Sequence, residues 1–340
     1  MRPSGPDSRD NRTVTATAPV HPWVASHAGR IGFGIQMAPS GDWAKARDIA
    51  QAAEQLGFDS LWLPDHPLIG WDSWTMLAGL AEATKRIRLG AMVSCVYYRN
   101  PVQLARAVAD VDRISGGRVV LGIGSGDMPW EFEQMGLTYP PPVERAAVLE
   151  EALQVVPALL RGEEVRFAGD HFNVPGAVLR PPAVQQPYVP VLVAGGGAKT
   201  TLRLTARYAD ANNMGAASWA GGAFTTDDIE RKFDVLKQHC DEARRPFEAI
   251  LRTTQVGFFL ANSEAEAAAM RDAVMKDPAR SRMMTFLERI PMFCTPGQAI
   301  DHLQTLRRAG FQYFVGTGVE TRSLERFASQ VMRPMMDAAA

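Results

Sequence analysis

The sequence holds only three cysteines in 340 residues, Cys95, Cys240 and Cys294. They lie far apart in no metal-ligand spacing, and an odd number suits a reducing cytoplasm better than a disulfide framework. Charge of one sign is also missing: 36 Lys and Arg against 37 Asp and Glu leave a net charge of −1. Without a basic excess, no nucleic-acid partner is expected. No apolar run approaches the roughly 18 residues of a membrane span, so no membrane partner is expected. The six histidines, at 21, 27, 66, 171, 239 and 302, contain no H-x-x-x-H pair, and no carboxylate triad accompanies them. No metal is expected. A G-x-S-x-G elbow is absent too, which disfavours a serine hydrolase. Residues 1–28 lack a signal peptide's apolar core and are rich in Pro, Ser, Thr and Arg. They read as a disordered or loosely attached arm ahead of one domain over 29–337.

What the chain does have is a strand–helix rhythm. "IGFGIQM" (31–37) is strand-like, and Asp42 and Gly57 bracket an amphipathic helix as N-cap and C′ residue. "SLWLPDH" (60–66), a helix capped by Asp72, "IRLGAMVS" (87–94) and a helix opened by Pro101 follow. "GRVVLGIG" is the fourth strand and 143–162 the fourth helix. A polar, Pro-rich excursion from Glu163 to Pro190 has room for a short hairpin. Strands at 190–197, 209–215, 250–260 and 313–318 alternate with helices to residue 337, including a long helical stretch to about 290. Alternation of this kind implies a parallel sheet, and eight units predict a TIM (β/α)8 barrel with an insertion between strands 4 and 5. A doubly wound open sheet is the rival, but "GFGIQMAPSG" lacks the dinucleotide fingerprint it would need at strand one.

In a barrel the chemistry sits in the loops after the strands. Gln36, Asp65, His66, Ser94, the 124–127 loop, the 195–199 loop, Asn212 and Asn213 all fall there. His66 suits proton transfer near neutral pH, and Asp65 beside it could orient it; a loop dipeptide bonded to backbone fits as well. "RVVLGIGSGDMPW" fails G-x-G-x-x-G because Met128 and Pro129 stand where the helix and its third glycine should lie. "AGGGAKTT" ends a strand in Gly195, Gly196 and Gly197 and starts a helix near Lys199, an arrangement suited to phosphate, although a plain tight turn would look the same. Gly124, Ser125 and Gly126 would then form a second wall. Asp127 and Glu131 are either acid–base candidates or exposed loop carboxylates, and His171 is structural or substrate-side.

Five stretches together resemble the bacterial luciferase-like flavin-dependent oxidoreductases, and within them the coenzyme F420-dependent branch. They are "AAEQLGFDSLWLPDH", "RIRLGAMVSCVYYRNPVQLAR", "ISGGRVVLGIGSGD", "PVLVAGGGAKTTLRLTARYADANN" and "AGFQYFVGTG". The resemblance implies a TIM barrel, often homodimeric, with F420 or FMN across the strand ends. It implies that Asp65 and His66 stand at the reactive face of the ring and that a non-prolyl cis peptide, Met92–Val93, bulges behind it. It places phosphate between Gly124–Gly126 and Gly195–Gly197, with Lys199 near the anionic tail. Many relatives carry Trp after the last glycine of the strand-four loop; the acid here, Asp127, resembles that of deazaflavin dehydrogenases with a carboxylate at the substrate, which implies a role as base. The implied activity is hydride transfer between F420 and a small organic substrate. An FMN-dependent monooxygenase using O2 and a non-catalytic flavin or deazaflavin carrier are the alternatives.

Overall fold

Local signals start and stop the first units as the sequence predicts. Asp42 accepts the Lys45 amide at the head of helix Trp43–Leu56, and Gly57 ends it at φ +91°. Asp72 caps helix Ser73–Ala83 through the Thr75 amide, and Pro101 occupies the first turn of helix Pro101–Ser115 behind the Asn100 cap. Thr225 and Thr295 each close a capping box further along.

The computed structural model describes residues 20–37, 41–215, 221–223, 225–257, 259–276, 293–317 and 321–338. Within it the barrel strands are β1 Gly32–Gln36, β2 Ser60–Leu63, β3 Arg88–Ala91, β4 Val119–Gly124, β5 Val191–Ala194, β6 Ala211–Asn213, β7 Leu251–Val256 and β8 Tyr313–Thr317. Every neighbouring pair is parallel, and β3 meets β4 at Leu89↔Val119 and Gly90↔Val120 to complete the ring. The predicted (β/α)8 barrel is the observed fold. Being covered on both faces, β4 is buried along its whole length.

Alternation along the strands separates two cores. Phe33, Ile35, Leu61, Leu89 and Phe314 face the helices, whereas Trp62, Val120, Leu192, Ala211, Leu251 and Tyr313 fill the barrel interior. Two rings take most of that interior, and the walls around them are glycine. A Cβ on Gly32 would stand 2.2 Å from the Tyr313 ring, and one on Gly90 would stand 2.6 Å from Trp62. Trp62 Nε1 donates to Ser60 Oγ at 2.6 Å, and Ser60 Oγ meets the Tyr313 hydroxyl at 2.6 Å, so the buried polar atoms are paired.

Residues 20–28 depart from the expected loose arm. Helix Pro22–Ala25 lies against the starting ends of the strands, with Trp23 and Val24 buried in the interior cluster. Trp23 packs edge-on to Tyr313 at 6.2 Å, His27 does so at 5.1 Å, and His21 Nε2 donates to the Tyr188 carbonyl at 3.0 Å. Composition misjudged the segment because a single indole filling the barrel floor outweighs the polar residues around it. Residues 1–19 lie outside the described residues.

The floor carries a pH dependence. Burial draws the His21 imidazole below its ordinary value, against the pull of Asp210 and of the Tyr188 carbonyl. Its Nδ1 also accepts the Trp23 amide, leaving no place for a second proton. The unfolded chain therefore takes up the proton first, so stability is complete above about pH 6.5 and falls below it. Urea midpoints at about pH 7.5 and about pH 5.5 should drop in wild type and drop less in His21→Gln.

The predicted insertion holds an antiparallel hairpin, Val165–Ala168 with Asn173–Ala177. Glu151 accepts the backbone amides of Asp170, His171 and Phe172 at its tip, which fixes this turn on the outside of the barrel with His171 exposed. After β7 the predicted continuous strand is broken: Phe259–Leu260 pairs separately with Phe293–Cys294, and helix Glu264–Met275 lies between them. The rest of the long predicted helix falls outside the described residues.

Candidate active site

Because all eight strands run the same way, their final residues share one rim. β4 and β5 are adjacent, with Gly122↔Leu192 and Ile123↔Val193 in register, so the 125 and 195 loops leave side by side. β2 and β4 both flank β3.

His66, leaving β2, reaches across the end of β3 to the β4 loop. Its Nδ1 lies 2.9 Å from Glu131 Oε2, and the Glu131 side chain is fully buried. Tyr98 donates to the same oxygen at 2.8 Å, and the Leu68 amide donates to Oε1 at 3.1 Å. Three donors around a buried carboxylate are what an ionised side chain needs there. Burial and the bond to Glu131 push the Tyr98 phenol far above its ordinary range, so it stays a donor. With Nδ1 committed to Glu131, His66 keeps Nε2 for chemistry. From sequence Glu131 was open between an acid–base candidate and an exposed loop carboxylate; the structure buries it as the partner that orients His66. Met128 and Pro129, which spoil the dinucleotide fingerprint, begin the short helix Pro129–Gln134 that carries it.

Asp127 is exposed on the cleft side of this loop, yet the walls around it remove enough water to raise its carboxyl pKa. Burial is the main cause and Glu131 adds to it, while His66 and Arg145 oppose. Arg145, from helix Pro142–Leu160, donates to the Gly126 carbonyl and lies 4.3 Å over the Tyr139 ring. That contact pins Gly126, whose φ of +80° only glycine adopts easily, in the position that presents Asp127.

Asp65 is placed differently from the expectation. Its carboxylate accepts Ser73 Oγ at 2.8 Å, the Cys95 amide at 3.2 Å, and both Arg99 nitrogens at 2.6 and 3.0 Å. Arg99 is itself held above its ordinary range: its burial works against the charge, but the bonds to Asp65 and Asp72 outweigh that. Four bonds occupy both oxygens, so Asp65 braces the β2 and β3 loops and does not face a ring. Ser94 is likewise turned into the helix layer, its Oγ accepting Trp74 Nε1 at 3.0 Å. Burial pushes the neighbouring Cys95 thiol up to about 12, leaving it protonated.

The Met92–Val93 peptide is cis, as the resemblance implies. Gln36 Nε2 donates to the Met92 carbonyl at 3.2 Å, and Gln255, from the end of β7, donates to Gln36 Oε1. Gln255 had no signal in the sequence, where the strand expected over 250–260 put it in the middle; the structure ends that strand at Val256. The Val93 side chain lies over β4, which explains two of its glycines. A Cβ on Gly122 would be 2.0 Å from the Ala91 carbonyl oxygen, and one on Gly124 would be 2.5 Å from Val93 Cγ2. Gly122 and Gly124 thus make room for the β3 bulge, and the steric demand accounts for them without a phosphate. Ser125 is half-buried between Gly124 and Gly126.

The Gly195–Gly197 loop precedes helix Thr201–Tyr208. Its N-cap, Thr200, makes no side-chain bond to the first-turn amides, although the Gly197 carbonyl takes the Leu202 amide at 3.0 Å and the Thr200 amide at 3.3 Å. Lys232 Nζ donates to the Gly196 carbonyl at 2.7 Å, His239 meets the Ala198 carbonyl at 2.9 Å, and Asn212 donates to the Gly195 carbonyl at 3.1 Å. Gly196 also packs on Gly221, where a Cβ would stand 3.0 Å from its Cα. Lys199 is exposed at the loop's edge. Lys232 lies 33 positions further along the chain, too far for a sequence motif to reveal. Among the described residues no cluster of His, Cys, Asp and Glu could hold a metal.

The family model for luciferase-like monooxygenases matches residues 17–329. The chain belongs to that family. The chain is 31% identical over 209 residues to a 5,10-methylenetetrahydromethanopterin reductase of Archaeoglobus fulgidus, covering 62% of this chain and 57% of that one. It is 32% identical over 221 residues to an F420-dependent glucose-6-phosphate dehydrogenase of Amycolatopsis mediterranei, covering 62% and 63%. The matched segments thus span less than two thirds of these curated relatives. Among solved structures, the coenzyme F420-dependent tetrahydromethanopterin reductase of Methanopyrus kandleri superposes with a TM-score of 0.76 at 21% identity, covering 90% of this chain and 99% of that one. That likeness establishes the shared fold.

Proposed function

We propose that the protein is an F420-dependent oxidoreductase that moves a hydride between the deazaflavin and a small organic substrate. The observation that carries the reading is the His66–Glu131 pair beside Asp127, on the same rim as a glycine loop whose helix lacks a capping side chain. Two relatives with F420 in their names support the choice of cofactor.

The residues present fit such a group. The amides of this turn that the Gly197 carbonyl does not take, with Lys199 and Lys232 near them, would hold its phosphate. Met92 and Val93, steadied by Gln36, would form the apolar shelf behind its ring. F420, when bound, supplies the hydride donor or acceptor. The protein supplies the proton path. Glu131 keeps a proton on His66 Nδ1, so Nε2 takes a proton from substrate or returns one to it. Asp127, held closer to protonation by its surroundings, is the second group able to exchange a proton there. We include in this reading a homodimer in the cytoplasm, in keeping with three free, buried cysteines.

Titration of the purified protein with F420 and with FMN tests the choice. Tight F420 binding with weak FMN binding is expected; the reverse order would favour the FMN-dependent monooxygenase. Bound F420 whose absorbance changes with no donor would point to a carrier.

A further inference from the structure

In the loop that leaves β5, four successive carbonyls are taken by donors of the protein itself. Asn212 Nδ2 donates to the Gly195 carbonyl at 3.1 Å, Lys232 Nζ to the Gly196 carbonyl at 2.7 Å, and His239 Nε2 to the Ala198 carbonyl at 2.9 Å. The Gly197 carbonyl between them accepts the Thr200 and Leu202 amides. The matching amides are in the opposite condition. Those of Gly196, Gly197, Ala198 and Lys199 meet no acceptor among the described residues. Spent carbonyls beside a run of open amides make the backbone pattern of an anion-binding concavity.

Two of the four carbonyls are held by a single helix, Thr226–Glu242, which packs against helix Thr201–Tyr208. Lys232 and His239 stand seven residues apart, about two turns, on one face of it. A peptide group is planar and trans, so the C=O of one residue and the N–H of the next point in opposite directions. Lys232 on the Gly196 carbonyl therefore fixes the Gly197 amide, and His239 on the Ala198 carbonyl fixes the Lys199 amide. The helix follows β6, which flanks β5 on one side, while β4 flanks it on the other. Carbonyls drawn toward the helix turn both amides toward the side of the β4 loop. Gly196 makes room for this: a Cβ there would crowd Lys232 Cδ and Nζ at 3.4 Å and Gly221 Cα at 3.0 Å. Glu242 Oε2 lies 3.0 Å from His239 Nδ1 and steadies the ring.

Resting on the reading of this loop as the phosphate grip, we propose that Lys232 and His239 are positioning residues. By holding the Gly196 and Ala198 carbonyls back, they aim the Gly197 and Lys199 amides at the phosphate of the bound cofactor. His239 acts wholly through its peptide. The Lys232 ammonium spends one of its three N–H groups on the carbonyl and adds its charge behind the loop. With either donor removed, its peptide is free to rotate and to set a carbonyl oxygen against the anion. The peptide held by Lys232 joins two glycines and rotates with the least hindrance, so its loss has the larger effect.

The test is calorimetric affinity for two ligand pairs that differ by a phosphate. One pair is F420 and its 8-hydroxy-5-deazariboflavin chromophore without the phosphate-linked tail; the other is FMN and riboflavin. Lys232→Met should weaken the phosphate-bearing ligand by about tenfold or more, and His239→Phe by about three- to tenfold. The phosphate-free ligand should change by less than about twofold in both, which also shows that the variants are folded. Lys232→Arg and His239→Gln each keep a donor for the carbonyl and should recover most of the loss. Weakening of both members of a pair alike, or affinities that neither Lys232→Met nor His239→Phe changes, overturns the proposal. Equal affinity of wild type for both members of a pair overturns the phosphate grip and the proposal with it. Wild type that binds FMN and not F420 overturns the cofactor reading alone, because the FMN–riboflavin pair still tests both residues.

Discussion

Replacing His66 with alanine is expected to lower kcat by about 10²- to 10⁴-fold, the usual contribution of a positioned general acid or base. F420 affinity should change far less, because the proposed phosphate grip lies on the β5 loop. The companion variant Glu131→Gln separates chemistry from orientation. A Gln amide keeps one acceptor oxygen and puts an NH2 in place of the other, so either the Tyr98 and His66 bonds or the Leu68 bond loses its acceptor. Glu131→Gln should therefore lower kcat as well, by less than His66→Ala, because the imidazole stays in place but loses the bond that fixes its orientation. Steady-state rates across pH, with F420 affinity followed by fluorescence, check both. Turnover at the wild-type rate in both variants would leave His66 without a part in proton transfer.

Gly122→Ala should be the most damaging single methyl in the barrel wall. The added carbon would meet the Ala91 carbonyl oxygen at 2.0 Å, and neither that oxygen nor the strand carrying it can swing aside. Overpacking usually costs about 1–3 kcal/mol, and a clash with backbone belongs at or beyond the upper end. Gly57→Ala is the informative contrast. Nothing stands within 4 Å of its Cβ position, but its φ is +91°, so only conformational strain of about 1–2 kcal/mol is added. Urea midpoints at unchanged m-value measure both losses, and near-equal values would discount the clash.

Features written into neighbouring residues were legible in the sequence. Caps at Asp42 and Asp72, the proline at 101 and the strand–helix spacing each report on a few adjacent positions, and together they gave the barrel and its insertion. The rim was legible for the same reason, since a strand end is a local event. Partnerships were not. Asp65 stands beside His66 in the chain, and adjacency suggested a catalytic pair; the residue that claims its carboxylate, Arg99, is 34 positions away. Glu131, 65 positions from His66, looked no different from an exposed loop acid. The glycines of β4 resembled a phosphate loop because sequence shows a missing side chain without showing what occupies its place, here Val93 and the Ala91 carbonyl. Trp23 was hidden in a polar segment for the converse reason: one large ring with a cavity to fill needs no supporting pattern.

With Trp23 seated in the floor and Trp62 and Tyr313 stacked above it, nothing can pass through the barrel's long axis. Cofactor and substrate must then use the same doorway. A molecule lying deeper has to arrive first and depart last, which imposes a compulsory order on turnover. Product lingering at that doorway would trap the reduced or oxidised cofactor beneath it, and inhibition by product should follow the pattern of a queue rather than of two independent exits.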